Sequence, residues 1–214
     1  MALTLYSYWR ATAPYRVRIA LALKGLAYDY APVSLPGGEQ RAPDYLERNP
    51  QGLTPMLVDG DTAMTQSLAL MEWLEETHPQ PPLLPADPSG RQVVRAMAGI
   101  IACDIHPLNN LRIQQQLAAF GVSEADRQTW VARWMTEGFE ALESLIAGHG
   151  QGFAYGAAPG LADCCLVPQV YSAERYGVDL SPYRAIRAAA ERARAHPAFA
   201  AAHPDRQPDA PAPA

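Results

Sequence analysis

Cysteine is scarce in this chain. Three occur in 214 residues, Cys103 standing alone and Cys164 beside Cys165 within a helical pattern. An odd count without metal-ligand spacing excludes a disulfide framework and a zinc site, and all three read as core thiols. Charge is also sparse. Charged residues make up 18% and the net charge is -5 at pH 7, so no basic field is present to draw nucleic acid or an anionic membrane. No apolar run reaches the length of a membrane helix. Met1 to Leu23 carries charges through its apolar part, unlike a secretory leader. These absences point to a cytoplasmic protein with no metal and a small-molecule partner. Internal repeats are absent too, and the length suits one large domain or two modest ones.

What is present is organised around Tyr6 to Gly25. Leu3, Leu5 and the tyrosines form an apolar strand, and Pro14 to Lys24 reads as a helix with Pro in its first turn and Gly25 past its end. A strand thus delivers the chain to a helix N-terminus, where unpartnered N–H groups carry partial positive charge and stabilise an anion. Thr12 and Arg10 sit at that turn. A thiolate suits such a place, but read alone the segment is an ordinary strand-helix corner with Thr near the cap.

Tyr28 to Val33 reads as a second strand, parallel to the first. Leu35 to Gly38 is a loop, Pro43 to Arg48 a helical turn and Asn49-Pro50-Gln51-Gly52 a turn signal. Pro55 to Val58 and Thr62 to Met64 flank Asp59-Gly60-Asp61 as a hairpin. Gln66-Ser67 opens the next helix, with Leu68, Met71, Trp73 and Leu74 at helical spacing. The Pro-rich run from Pro79 to Pro88 then breaks all periodicity, as an interdomain linker does. Beyond it only helices appear: Ser89 to about Leu117, bent near Pro107; Ser123 to about Ala147; Leu161 to Tyr176; Tyr183 to Ala195; and a turn near Phe199. The Pro/Ala-rich tail from His203 to Ala214 reads as loose or draped on the surface. Of the five histidines only His106 sits in an informative context; His78, His196 and His203 precede prolines at element boundaries and read as surface residues.

A βαβ-ββα half joined by a Pro-rich linker to an all-α half resembles the cytosolic glutathione transferases. Tyr6-Ser7-Tyr8-Trp9-Arg10 leading into Tyr15-Arg16-Val17-Arg18-Ile19-Ala20-Leu21 is similar to the opening of their zeta class, the maleylacetoacetate isomerase family. Gln66-Ser67 before Trp73-Leu74-Glu75-Glu76, Leu83-Leu84-Pro85, Leu166-Val167-Pro168-Gln169-Val170, Ala173-Glu174-Arg175 and Gln207-Pro208-Asp209 match the same class. Cys103 to Asn110 is most similar to its bacterial maleylpyruvate isomerase branch. The resemblance implies a thioredoxin-like α/β domain over residues 1–79, a linker over 80–88 and an all-α substrate domain over 89–214.

The resemblance also implies roles. Thr54, before a cis Pro55, offers its main chain to the cysteinyl part of glutathione, as a strand added to a sheet edge. Gln66 and Ser67 hold the γ-glutamyl carboxylate at a helix N-terminus, Gln40 meets the glycyl end and Asn110 closes over the peptide. Read singly, these are a turn, a cap, a surface amide and a polar group on a helix face; in register they form a set. The implied activity is cis-trans isomerisation of maleylacetoacetate or maleylpyruvate: a thiolate adds to the double bond, the resulting single bond rotates, and elimination restores glutathione. Arg10 and Arg175 match positions that clamp the diacid, since guanidinium forks suit carboxylates. Arg112 and His106 line the same mouth, whereas Arg16 and Arg18 read as structural charges. A homodimer is implied as well.

One departure concerns the active-site turn. Where the family carries a Ser-Ser-Cys or Ser-Ser-Ala run, this sequence has Ala11-Thr12-Ala13-Pro14, which leaves Thr12 as the hydroxyl donor. Two other readings accompany the isomerase. One is a general glutathione transferase or peroxidase acting on α-halo acids or hydroperoxides. The other is a non-catalytic glutathione-binding protein, motivated by Ala11 and Ala13.

Overall fold

The computed structural model describes residues 3–212. Packing divides the chain into two compact units, one comprising the residues up to Leu83 together with those from His196 onward, the other Leu84–Ala195.

The first unit is built on a four-stranded sheet. In β1 (Leu3–Ser7) the alternation of buried and half-exposed residues is that of a strand covered on one face more than the other. The sheet runs β2-β1-β3-β4, with β2 at Tyr28–Pro32, β3 at Met56–Asp59 and β4 at Thr62–Thr65. β2 lies parallel to β1, with Leu5 opposite Tyr30, and β3 antiparallel to it, with Leu5 opposite Leu57. Parallel β1 and β2 need a crossover, supplied by helix α1 (Thr12–Leu23). The β3–β4 hairpin turns at Asp59-Gly60-Asp61, as the sequence indicates, and α2 (Pro43–Arg48) and α3 (Ser67–Thr77) complete the layer. Leu5, Val17, Ile19, Leu21, Leu57, Leu70 and Leu74 form the apolar interior. Lys24 Nζ crosses that interior to Glu75 Oε2 at 2.6 Å and also donates to the Pro81 carbonyl at 2.7 Å. Glu75 in turn accepts the Leu83 N–H at 2.8 Å, so the proline-rich segment is fastened to α3.

The second unit is helical. It contains α4 (Pro88–Gly99), a π-helical segment (Ile100–Ile105), α5 (His106–Asn109), α6 (Leu111–Ala119), α7 (Glu124–His149), α8 (Leu161–Arg175) and α9 (Arg184–Arg194). The single bent helix expected over Ser89–Leu117 is therefore interrupted, and not at Pro107. The His106 N–H reaches back five residues to the Ile101 carbonyl, a π turn that absorbs the proline without ending the helix. The break falls at Asn110, which is extended and accepts the Ile113 N–H through its own side chain, capping a new helix. Gly138 in α7 makes room for the π segment: a Cβ there would lie 2.3 Å from the Ile105 side chain. Cys164 and Cys165 are core thiols as expected, but Cys103 is exposed.

The N-cap of α8 is Gly160, which has no side chain to offer. Asp163 substitutes for it, accepting the Gly160 N–H at 3.0 Å and the Ala154 N–H at 2.8 Å while fully buried. Burial pushes its carboxyl up to about 7 against the N–H bonds that favour the anion. A folded-state pKa above the ordinary value means that Asp163 contributes stability below pH ~4 that is lost as pH rises through about 7. Melting temperature followed across this range should show that component in the wild type and lack it in Asp163→Asn; parallel curves would refute it.

The C-terminal segment departs from the sequence reading. The sequence places it in the helical domain, its tail loose or draped on the surface; instead α10 (Pro197–Ala201) and a 3₁₀ turn (Pro204–Arg206) belong to the first unit. Phe199 is buried, and Arg18 Nε donates to the Ala202 carbonyl at 3.1 Å. The helical unit thus ends at Ala195 rather than running through 89–214. Among the described residues no helix is long and apolar enough to cross a membrane, and no group of His, Cys, Asp and Glu is arranged to hold a metal ion.

Candidate functional site

The polar features of the first unit gather at two helix N-termini. In α1 the cap position is Ala11, so no side chain caps the helix. The Ala11 N–H is used by the Tyr8 carbonyl and the Tyr15 N–H by Ala11; Pro14 has no N–H. The Thr12 and Ala13 N–H groups therefore point out of the helix end with no partner among the described residues, beside the Thr12 hydroxyl, and form a compact set of donors for an anion. The helix begins two residues before the proline, which occupies its first turn.

α3 packs beside α1 and is likewise uncapped by any side chain. Its first paired donor is the Leu70 N–H, bonded to the Gln66 carbonyl. Gln66 holds φ 69°, ψ 110°, a left-handed backbone that non-glycine residues adopt only where the surroundings impose it. Its side-chain amide donates to Gln51 Oε1 at 2.7 Å. Ser67 is buried and accepts from Arg16 Nη1 at 3.1 Å. The acceptor side of the hydroxyl is thus occupied, leaving its proton to donate toward an incoming anion with a guanidinium behind it.

The third part of the site is main chain. The Thr54–Pro55 peptide is cis, and the residue before it is held from both sides: Tyr45 Oη donates to the Leu53 carbonyl at 2.7 Å and Asn49 Nδ2 at 2.6 Å. With Leu53 fixed, the Thr54 N–H and carbonyl are left without an intramolecular partner among the described residues. Gln40, in the 3₁₀ turn Glu39–Arg41, is brought to this region by Gly52. Gly52 has φ +61°, and a Cβ on it would fall 2.9 Å from the Gln40 carbonyl oxygen. The Gln40 side-chain oxygen is buried and unpartnered, an acceptor awaiting a donor. The chain of neighbours from Gln40 through Gly52, Gln51, Gln66 and Ser67 to Arg16 is therefore continuous.

The remaining sequence candidates are placed as follows. Arg10 is exposed beside Trp9, its guanidinium 5.5 Å from the indole centroid, and has no acidic partner among the described residues. In the second unit Arg175, at the C-terminal end of α8, is exposed and stacks on Tyr176 at 5.0 Å. His106 opens α5, Arg112 lies exposed in α6 and Asn110 caps α6. Asn110 keeps its side-chain NH₂, since only Oδ1 is used in the cap.

Comparison with known proteins bears on what these groups serve. Residues 11–82 match the glutathione S-transferase N-terminal domain and residues 128–198 its C-terminal domain. A maleylacetoacetate isomerase of Pseudomonas aeruginosa is 50% identical over 97% of this chain and 99% of its own. The holo structure of a maleylpyruvate isomerase, described as a bacterial zeta-class glutathione S-transferase, superposes with TM-score 0.95 at 46% identity over 97% of this chain and 100% of that one. The chain belongs to the zeta-class glutathione transferase and maleylacetoacetate isomerase family. A maleylacetoacetate isomerase from Anaeromyxobacter dehalogenans 2CP-1 with glutathione bound in its active site matches with TM-score 0.90 at 43% identity, over 98% of each chain. The fold is that of this transferase family, a thioredoxin-like unit and an all-helical unit.

Three residues that support the candidate site are not singled out by the sequence. Arg16 reads there as a structural charge, yet it supports Ser67. The available signal was its setting, one of two guanidiniums in a largely apolar helix, each of which must find a buried partner. Gln51 reads as part of a turn and holds Gln66; nothing in a turn signal identifies such a contact. Asp209 stands in the sequence only as part of a motif, and it accepts the Trp9 N–H before α1.

Proposed function

We propose that this protein is a glutathione-dependent cis-trans isomerase of maleylacetoacetate or maleylpyruvate, acting in the breakdown of aromatic amino acids and related aromatic compounds. The observation that carries the reading is the pair of neighbouring, uncapped helix N-termini, one presenting Thr12 and the other Ser67 backed by Arg16. A tripeptide with a carboxylate at its γ-glutamyl end and a thiolate in its middle suits two anion-binding helix ends with free main chain between them. Thr54 offers an N–H and a carbonyl for that middle, and Gln40 an unpartnered oxygen for the glycyl N–H.

Bound glutathione supplies a thiolate nucleophile able to add to a conjugated double bond and leave again. Thr12, with the Thr12 and Ala13 N–H groups, stabilises negative charge on sulfur. Gln66 and Ser67 orient the γ-glutamyl carboxylate. Arg10 and Arg175, each exposed and without a carboxylate of its own among the described residues, receive those of the diacid; this favours the isomerase over a peroxidase, which needs no such cations. His106 and Arg112 serve the substrate side, and Asn110 closes over the peptide through its free NH₂. A homodimer in the cytoplasm, with neither nucleic acid nor membrane as partner, completes the reading; the net charge of -5 supports its last part.

Ultraviolet assays of maleylpyruvate and maleylacetoacetate, with and without glutathione, test the proposal. Turnover of at least one diacid that requires glutathione is expected, and no turnover of either would refute it. Gln66 offers a narrower test. Gln66→Gly relieves the left-handed backbone but deletes the amide, so thermal stability should hold or rise by ~0.5–1 kcal/mol while glutathione affinity falls by roughly 10-fold. Calorimetry on the same sample reads both, and affinity unchanged from the wild type would remove Gln66 from the site.

A further inference from the structure

The active-site turn is held by the chain's far end. Trp9 immediately precedes Arg10, and both of its main-chain polar groups are tied. Its N–H donates to Asp209 Oδ2 at 3.0 Å, and its carbonyl accepts from Arg18 Nη2 at 2.8 Å. The other Asp209 oxygen accepts from Tyr30 Oη at 2.6 Å, which anchors the carboxylate to β2. Arg18 is fully buried and bonded to neutral groups, Ser7 Oγ at 3.1 Å and the Ala202 carbonyl at 3.1 Å besides Trp9. Asp209 is the carboxylate whose charge acts on it. Gln207 keeps the segment in shape through the Ala201 and His203 carbonyls, at 3.2 and 2.8 Å.

A loop residue with one of its two flanking peptides bonded can swing about that bond, but one whose N–H and carbonyl are both bonded cannot. The clamp on Trp9 therefore fixes where Arg10 leaves the sheet. We propose that Asp209 is a positioning residue of the isomerase, setting the Trp9-Arg10 turn from the C-terminal segment so that Arg10 meets the substrate carboxylate. What the turn does rests on the functional reading above; the tether itself does not.

The proposal separates two affinities. The contacts assigned to the γ-glutamyl carboxylate and the cysteinyl main chain of glutathione lie on α3 and before β3, which Asp209 does not touch, while Thr12 on α1 acts on the sulfur and is read in kcat. Asp209→Ala should raise KM for the diacid by ~10-fold or more, because displacement of a positioning group by an ångström is costly. The Kd for glutathione should change by less than about 2-fold, as for an independent site. Asp209→Asn keeps an acceptor for Trp9 and a donor for Tyr30 and should restore KM nearly to wild type. Tyr30→Phe should raise KM roughly 2- to 10-fold through loss of one bond, whereas Tyr28→Phe, which makes no bond to Asp209, should not.

An unchanged KM in folded Asp209→Ala would overturn the proposal, as would equal rises in KM and Kd or failure of the Asn variant to rescue. If Asp209→Ala does not fold, Tyr30→Phe against Tyr28→Phe decides. If the wild type shows no glutathione-dependent isomerisation, the functional reading fails and the tether is judged by hydrogen exchange alone. Asp209→Ala must then speed exchange of the Trp9 amide by ~10-fold or more, and an unchanged rate would end the proposal.

Discussion

Diacid isomerisation should fall by roughly 10²- to 10⁴-fold in the Arg10→Ala, Arg175→Ala double variant, with glutathione binding retained. The range follows from two charge-assisted hydrogen bonds to carboxylate, each contributing about 1.5–3 kcal/mol, at 1.4 kcal/mol per tenfold change in rate. Both guanidiniums are exposed and rest on aromatic neighbours, Arg10 on Trp9 and Arg175 on Tyr176. Their removal leaves no buried charge unpaired, so the folded state should tolerate it. The measurement is kcat/KM for each diacid beside a calorimetric titration with glutathione. Diacid turnover at the wild-type level in the double variant would show that the substrate is held elsewhere. Conjugation of a neutral electrophile should survive, and its loss along with diacid turnover would point to damage at the thiol instead.

Thr12→Val should lower kcat by about 10²- to 10³-fold, the size of effect seen when one preorganised donor to a developing or resident anion is deleted. The expectation is at the strong end because little else remains at this helix start. Ala11 contributes no hydroxyl, Pro14 contributes no N–H, and the Ala11 N–H is already spent on Tyr8. The loss of a donor should raise the pKa of the bound thiol, which thiolate absorbance measured against pH reads directly. Thr12→Ser should restore both. If neither rate nor thiol pKa moves in Thr12→Val, the two open N–H groups of α1 suffice by themselves.

The parts of this architecture that the sequence exposes are those governed by neighbours in the chain. Alternating apolar residues mark β1, and the Asp59-Gly60-Asp61 turn marks the β3–β4 hairpin. Ser123 is placed as the cap of α7, where its hydroxyl accepts the Asp126 N–H. Boundary errors came where two local signals competed. Pro107 argues for a bend, but a π turn spreads the cost of its missing N–H, and the stronger capping preference of Asn110 takes the break instead. Cys103 was grouped with the two helix-core thiols because the sequence places it among apolar residues; it lies on the outward side of the π segment.

By itself the sequence determined the order of strands and helices, the helix ends that present Thr12 and Ser67, and the family to which the chain belongs. Periodicity, capping and turn chemistry act over a few residues and are written locally. The tertiary structure alone decided that Arg16 stands behind Ser67, that Gly52 brings Gln40 close, and that the last helix and tail join the first unit, with Asp209 on Trp9. Those bonds join residues 51 and 200 positions apart. Their existence depends on which buried polar groups packing leaves in need of a partner, and no local pattern encodes that need.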